Sequence, residues 1–202
     1  MTPLERFLAM MDYSPVDHVP NWELGVWPQT RQRWEEEGLD TAQFHWKWFP
    51  GEQTLGMDPK EFIPFNRGMI PEFEYEILEE DDRTVLFRDN QGRVRRALKE
   101  GSISGARMSM DQYIGFPVRM MEDWREVKTR LDPRSPQRYE PNWEMFRVAG
   151  WRDRDHPLIF GTNTSTLGFY WFARELMGTE SLSYAFYDQP LLIHDIMAFH
   201  VE

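Results

Sequence analysis

The chain has 202 residues, a formal net charge of −11, nine tryptophans and no cysteine. Nucleic acid and anionic membranes are bound by clustered Lys and Arg, so this acidic balance excludes both as expected partners. The lack of cysteine excludes a disulfide framework and a thiolate metal site, and it favours a reducing cytoplasm as the location. No apolar run reaches membrane-spanning length, and the length suits one domain with a sizeable core.

The amino-terminal segment opens with Thr-Pro-Leu-Glu, which predicts a helix whose Thr cap and Glu bond to each other's backbone N–H groups. The stretch 19–24 predicts a short strand that ends in a glycine turn. Glu23 stands beside Trp22 at the end of this strand, so its carboxylate either faces a ligand cavity or lies at the rim in water. A second helix is expected over 28–38, with a glycine at its end.

The middle of the chain predicts strands. Residues 62–65 are expected to form a strand that enters the polar turn Asn66-Arg67-Gly68. From residue 72 onward, apolar and charged residues alternate with the period of a half-buried strand. Polar turns at 81–82 and 90–92 then divide residues 72–100 into three strands, which predicts an antiparallel meander inserted into the chain.

The stretch 156–178 organises the carboxyl-terminal half. It predicts a buried strand at 157–160, a polar loop at 161–166 that contains Asn163 and Thr164, and a helix that ends at Gly178. Ligands of α/β folds bind in the loops after the strands, so this loop is a candidate site. A capped connection without a ligand is the alternative. Helical spacing also predicts helices near 120–131, 143–151, 179–186 and 190–199.

Motifs that identify a reaction without fold context are absent. The sequence has no phosphate-binding glycine loop, no Gly-x-Ser-x-Gly elbow and no pair of His residues four apart on a helix. The order of strands and helices therefore indicates an α/β enzyme but does not identify its chemistry.

Several segments, in their order and spacing, resemble the amino-terminal part of the uroporphyrinogen decarboxylase family, which also contains cobalamin- and corrinoid-dependent methyltransferases. These segments include VPNWELGVWPQTRQRWEEEGL, EDWREVKTRLDP, HPLIFGTNTSTLGFYW and MGTESLSYAFYDQPLLIHDIM. The resemblance implies a (β/α)8 TIM barrel, with 19–24, 62–65 and 157–160 as its first three strands and the meander between two of them. Because a complete barrel takes about 250 residues, the single domain 1–202 is expected to be an amino-terminal fragment.

The resemblance favours the methyltransferase branch. Porphyrinogen decarboxylases carry two arginines after the first strand, and Gly25 and Gln29 stand at the matching positions here. Their substrate-binding aspartate after the second strand is replaced by Asn66-Arg67. Tyr170 does match the family's Thr-Leu-x-x-Tyr pattern. The main electrostatic anchor for a porphyrinogen is thus missing, and Glu23 would repel its carboxylates.

The function implied for the complete protein is methyl transfer between a small methylated compound and a corrinoid or a thiol. The chain itself is expected to hold no metal or cofactor, whereas zinc and corrinoid would belong to the full-length protein. A corrinoid protein and a homodimer are the expected partners. Two alternatives stay open: decarboxylation of uroporphyrinogen in porphyrin biosynthesis, and a truncated binding or assembly module without catalysis.

The expected site is built from side chains that follow predicted strands. We expect Arg67 to anchor an anion, Tyr170 to donate a hydrogen bond and Glu23 to accept a proton. The expected substrate-binding residues are Trp22, Asn66, Asn163 and Thr164.

Overall fold

The computed structural model describes residues 1–23, 26–40, 42, 55–100, 102–103, 106–107, 110–160 and 168–201. The chain divides into two compact units. The first consists of Met1–Phe65 and Tyr139–Thr166, and the second of Asn66–Arg138 and Leu167–Glu202.

The described residues are mixed α/β. The helices are α1 (Pro3–Met11), α2 (Pro28–Glu36), α3 (Met121–Arg130), α4 (Phe169–Met177), α5 (Thr179–Asp188) and α6 (Pro190–Val201), with a short π-helix at Glu144–Val148. The strands are β1 (Glu61–Phe62), β2 (Glu76–Glu80), β3 (Thr84–Arg88), β4 (Val94–Leu98), β5 (Ser102–Ile103), β6 (Ala106–Arg107), β7 (Gln112–Gly115) and β8 (Leu158–Ile159). No helix in this part of the chain is both long and apolar enough to cross a membrane.

The first helix begins as the sequence predicts. Thr2 Oγ1 accepts a hydrogen bond from the Glu5 backbone N–H at 3.1 Å, and Glu5 Oε2 accepts one from the Thr2 N–H at 2.8 Å. Two of the otherwise unpaired N–H groups at the helix start are therefore satisfied. The capping box predicted from Thr-Pro-Leu-Glu is confirmed.

Charged side chains are buried in the first unit. The Arg6 side chain, 6% exposed, donates from Nε to Asp17 Oδ1 at 2.6 Å and from Nη1 to Asp58 Oδ1 at 2.5 Å. The hydrogen bond to Arg6 holds the pKa of Asp17 well below its ordinary value. Asp58 also accepts the backbone N–H of Asn21 at 2.8 Å. A single arginine on α1 thereby fastens two later segments of the chain.

The strand expected at 19–24 is wrong for the residues described there, Val19–Glu23, which form no strand; Leu24 and Gly25 lie outside the described residues. Asn21 instead exchanges hydrogen bonds with Asp58, because its N–H donates to the Asp58 carboxylate and its carbonyl accepts the Asp58 N–H at 3.0 Å. Pro20 has no N–H to offer. The polar groups of this segment therefore bond locally to one aspartate and not to a strand ladder.

The other two strands expected to belong to a barrel lie side by side and are parallel. Glu61 is in register with Leu158 and Phe62 with Ile159, and the Ile63 N–H extends the pairing to the Ile159 carbonyl at 3.0 Å. Both strands are shorter than predicted, and Pro64 limits β1 because it lacks a donor. A closed barrel is not formed by the described residues.

The second unit contains an antiparallel sheet in the order β2-β3-β4-β7. The three predicted meander strands are present as β2, β3 and β4, and the turns fall at the predicted positions. The first strand begins later than the alternation from residue 72 predicts, at Glu76. Phe73 is half-buried against the helical core, but Tyr75 and Ile77, expected on the same face, are exposed, as are all five residues of β2. The fourth strand, β7, was not predicted, since its residues Gln-Tyr-Ile-Gly do not alternate between polar and apolar.

A helical core fills the rest of the second unit. The buried apolar side chains come from α3, α4, α5 and α6 and their neighbours, and include Trp124, Val127, Ala173, Leu176, Met177, Leu182, Leu192 and Ile196. Trp124 lies at the centre and donates from Nε1 to Asp195 Oδ2 at 2.5 Å. Lys128 Nζ reaches the same carboxylate at 3.1 Å. The hydrogen bonds from Trp124 and Lys128 lower the pKa of Asp195.

We expect Asp195→Ala to lower the free energy of unfolding by about 1–3 kcal/mol at pH 7, because the buried Trp124 N–H loses its acceptor. A carboxylate with a depressed pKa stabilises the fold above its unfolded-state pKa and loses that effect as pH falls. The difference in free energy of unfolding between variant and parent should therefore shrink below about pH 4. Urea unfolding at pH 7 and below about pH 4 measures this difference.

Asp188→Ala is the matched control, because Asp188 is exposed at the last residue of α5. This variant should change the unfolding midpoint little. An equal effect of the two substitutions would show that the bond between Trp124 and Asp195 contributes nothing specific.

Candidate functional site

The residues expected to form the site fall in different parts of the chain. Trp22 and Glu23 belong to the first unit, whereas Asn66, Arg67 and Tyr170 belong to the second. The two remaining candidates, Asn163 and Thr164, lie outside the described residues.

Glu23 lies beside a buried lysine that the sequence did not indicate. The Lys60 side chain is 7% exposed and donates from Nζ to the Glu23 backbone carbonyl at 2.9 Å. Its ammonium group is 5.8 Å from the centre of the Trp22 ring and 5.5 Å from that of Phe62. Burial lowers the pKa of Lys60, and the negative charge of Glu23 opposes this shift only in part.

An amine in this setting can exchange a proton nearer neutral pH than a solvated lysine can. The aromatic faces supply electrostatic attraction to the cation without a full counter-charge. Trp22 and Glu23 thus surround a titratable group, which is a recognised property of functional sites. No local pattern could have revealed it, since Lys60 and Glu23 are far apart in sequence.

A second polar group lies where β1 and β8 begin. His156 contacts the Glu61 carboxylate from Nε2 at 3.2 Å and Asp155 from Nδ1 at 3.0 Å. Arg147 Nη1 approaches the other Glu61 oxygen at 3.6 Å and its Nε bonds to Glu140 at 2.6 Å. Burial disfavours the His156 cation, but the hydrogen bonds to Asp155 and Glu61 outweigh it, so the pKa of His156 is raised.

The turn that carries Asn66 and Arg67 is held by a buried arginine. Arg138 is 3% exposed, and its guanidinium donates to the backbone carbonyls of Asn66, Gly68, Arg130 and Asp132 at 2.7–2.9 Å. The Asn66 side chain accepts the Gly68 N–H at 2.9 Å, so it also shapes the turn. The backbone on either side of Arg67 is therefore fixed by the Asn66 side chain and by Arg138, which the sequence did not single out.

Arg67 itself is half-buried. Burial lowers its pKa, and the Glu175 carboxylate on α4 opposes the shift. Glu175 Oε1 also accepts a hydrogen bond from Trp171 Nε1 at 3.3 Å. An arginine in such surroundings attracts anions more strongly than a solvated one does, because less water screens its charge.

Tyr170 lies in the first turn of α4 and is 48% exposed. About half of the residue is therefore accessible to solvent. Asn66 is exposed as well. Trp22 is partly buried, and its ring centroid is 5.5 Å from that of Phe7. Within the described part of the chain, no three His, Asp or Glu side chains come together in a way that could hold a metal ion.

Arg138→Lys should lower the free energy of unfolding by about 2–4 kcal/mol, because a lysine cannot reach four carbonyls with one ammonium group and leaves several of them unpaired. Chemical denaturation measures the loss. Arg134→Lys is the matched control at an exposed position. Equal stability of the two variants would contradict the role assigned to Arg138.

His156→Gln should change how stability depends on pH. A histidine with a raised pKa stabilises the fold fully below its unfolded-state pKa, near 6.5, and this contribution disappears as pH rises through the folded-state value. The parent should thus lose about 0.5–1 kcal/mol relative to the variant across this window. Thermal unfolding between pH 5.5 and 9 tests it, with exposed His194→Gln as control.

Comparisons of the chain with protein-family models, with curated proteins and with solved structures found no match.

Proposed function

We propose that the chain forms the first strands of a (β/α)8 barrel of the uroporphyrinogen decarboxylase type. The complete protein would transfer a methyl group between a small methylated compound and a corrinoid or a thiol. The observation that carries this proposal is the parallel pairing of β1 with β8. The resemblance assigns three strands to the barrel, and β1 and β8 are the two of them that the described residues form.

Parallel strands require a crossover connection, and here the connection includes the antiparallel sheet and α3. Such an excursion between two neighbouring barrel strands is what the resemblance implies. Barrel enzymes use the loops after the carboxyl ends of their strands. The segment after β1 leads to Asn66 and Arg67, and Asn163 and Thr164 follow β8 in the sequence.

Arg67 would bind an anionic group of the substrate. A guanidinium forms two parallel hydrogen bonds to a carboxylate or phosphate, and partial burial strengthens both. The negative charge of Glu175 attracts the Arg67 guanidinium, and an anionic group of the substrate would compete with it. The rigid Asn66–Gly68 turn, fixed by Arg138, limits the loss of conformational freedom on binding.

Tyr170 would donate its exposed phenol O–H to a substrate oxygen or nitrogen. In the first unit, Glu23 would accept a proton beside the buried Lys60 ammonium, which donates to the Glu23 backbone carbonyl. Glu23 and Lys60 belong to a different unit from Arg67 and Tyr170. The effect of Glu23→Gln on turnover therefore measures the contribution of this pair by itself.

The test uses the active full-length protein. Methylated amines, alcohols and thioethers are offered with cob(I)alamin or a thiol, and the methylated product is quantified. We expect Arg67→Ala to lower kcat/KM by roughly tenfold to a hundredfold, since a charge-assisted hydrogen bond contributes about 1.5–3 kcal/mol. Tyr170→Phe should lower it by about fivefold to tenfold, the effect of one neutral hydrogen bond.

Arg83→Ala and Tyr184→Phe are the controls, because both side chains are exposed and lie outside the proposed site. Unchanged turnover and substrate binding in both site variants would refute the residue assignment. Absence of methyl transfer from every donor, in a protein that folds and is stable, would refute the proposed reaction.

A further inference from the structure

A cleft of about 460 Å³ lies within the second unit, between the sheet and the corner where α4 meets α5. We call it the aromatic cleft. Its walls include the aromatic side chains of Tyr113, Phe116 and Trp171, the guanidinium groups of Arg93 and Arg174, and the first residues of α5. The volume falls in the range of sites that take small organic molecules.

The aromatic walls are held in defined positions. The Tyr113 and Phe116 rings are stacked, with centroids 5.8 Å apart and planes inclined by 11°. Gly178, between α4 and α5, has φ of +77° and is pressed against Phe116, so that a Cβ there would overlap the ring. Only glycine combines this backbone conformation with so close an approach. The corner and the Phe116 ring are therefore fixed relative to each other.

The Arg174 side chain is held in one orientation, while its two Nη groups make no hydrogen bond to the described residues. Its Nε donates to Thr179 Oγ1 at 2.9 Å, and its guanidinium lies over the Trp171 ring at 4.6 Å. Neither Nη atom has a hydrogen-bond partner among the described residues. The outer fork of the guanidinium, the part that grips a carboxylate with two hydrogen bonds, is thus available and already immobilised.

Arg93 is arranged in the same way. Its Nε donates to Asp89 Oδ2 at 2.9 Å, and its guanidinium lies 5.7 Å from the Tyr113 ring centre. In the part of the chain that is described, its Nη atoms also have no partner. Two arginines of one cleft are therefore each fixed through the inner nitrogen and an aromatic face, with no partner for the outer fork among the described residues.

The acids of the cleft restrict the charge of its occupant. Glu175 is engaged by the Trp171 N–H, but Glu180 at the start of α5 also lines the cleft. Glu180 would repel a polyphosphate or a second carboxylate. The combination favours a ligand with one anionic group and a flat apolar body.

We propose that the aromatic cleft binds a small planar aromatic monocarboxylate. The ring stacks on the aromatic walls, and the carboxylate accepts hydrogen bonds from the Arg174 fork, with Arg93 adding positive potential. Glu175 lines the cleft and its charge also acts on Arg67, but the residues that would contact the ligand do not belong to the proposed methyl-transfer site, so the inference does not depend on the proposed function.

Three probes of similar size but different chemistry test it by ligand-observed NMR titration of the intact chain. They are 2-naphthoate, its neutral amide 2-naphthamide, and the non-planar acid cyclohexanecarboxylate. We expect 2-naphthoate to bind at least tenfold more tightly than either of the others, since it alone offers both the charge and the flat ring. We expect the Kd of 2-naphthoate to be about 1 mM or lower. Equal affinity for all three probes, or no binding of 2-naphthoate at concentrations up to about 10 mM, would overturn the proposal.

The variants locate the binding. Arg174→Gln should weaken 2-naphthoate binding by about tenfold or more without changing 2-naphthamide binding, since it removes a charge-assisted hydrogen bond. Arg93→Gln should weaken it by a smaller factor. Arg125→Gln, an exposed position on α3, is the control and should have no effect. Undiminished 2-naphthoate binding in both cleft variants, with unchanged unfolding midpoints, would also refute the site.

Discussion

The buried Arg138 guanidinium is the constraint on which the second unit depends. It donates to four backbone carbonyls from three separate places in the chain, the Asn66–Gly68 turn, the end of α3 and the segment after it. A charge so deeply buried is costly unless hydrogen bonds replace its hydration. Because these bonds do so, one side chain gives the Arg67 turn a fixed position beside the helical core.

In the first unit, the cost of burying charged side chains is offset by ion pairs and aromatic contacts. Arg6 and Asp58 form a buried pair, and Lys60 lies between aromatic rings with a backbone carbonyl as its acceptor. The buried apolar cluster that the structure describes lies in the second unit. Charge pairing thus organises the described residues around β1, and apolar packing organises those around Trp124. Each unit contains a cation whose pKa burial lowers, Lys60 in one and Arg67 in the other.

Local patterns predicted the elements whose causes are local. The capping box of α1, the turns of the meander and the end of α4 at Gly178 follow from short runs of residues, and all are present. The strand at 19–24 was wrong because a distant aspartate, Asp58, takes its hydrogen bonds. Lys60 and Arg138 were missed for the same reason: what makes them important is burial against partners remote in sequence, which no pattern records.

The outer strand of the antiparallel sheet has a consequence for association. All of β2 is exposed, and its glutamates pair inward across the sheet, with Arg88 at 2.9 Å and Lys99 at 2.7 Å. An unpaired strand edge invites a further strand from another molecule, but a row of carboxylates repels an identical row. The acidic side chains of Glu76, Glu79 and Glu80, although they pair with cations within the sheet, therefore disfavour addition of a second copy at this edge at neutral pH.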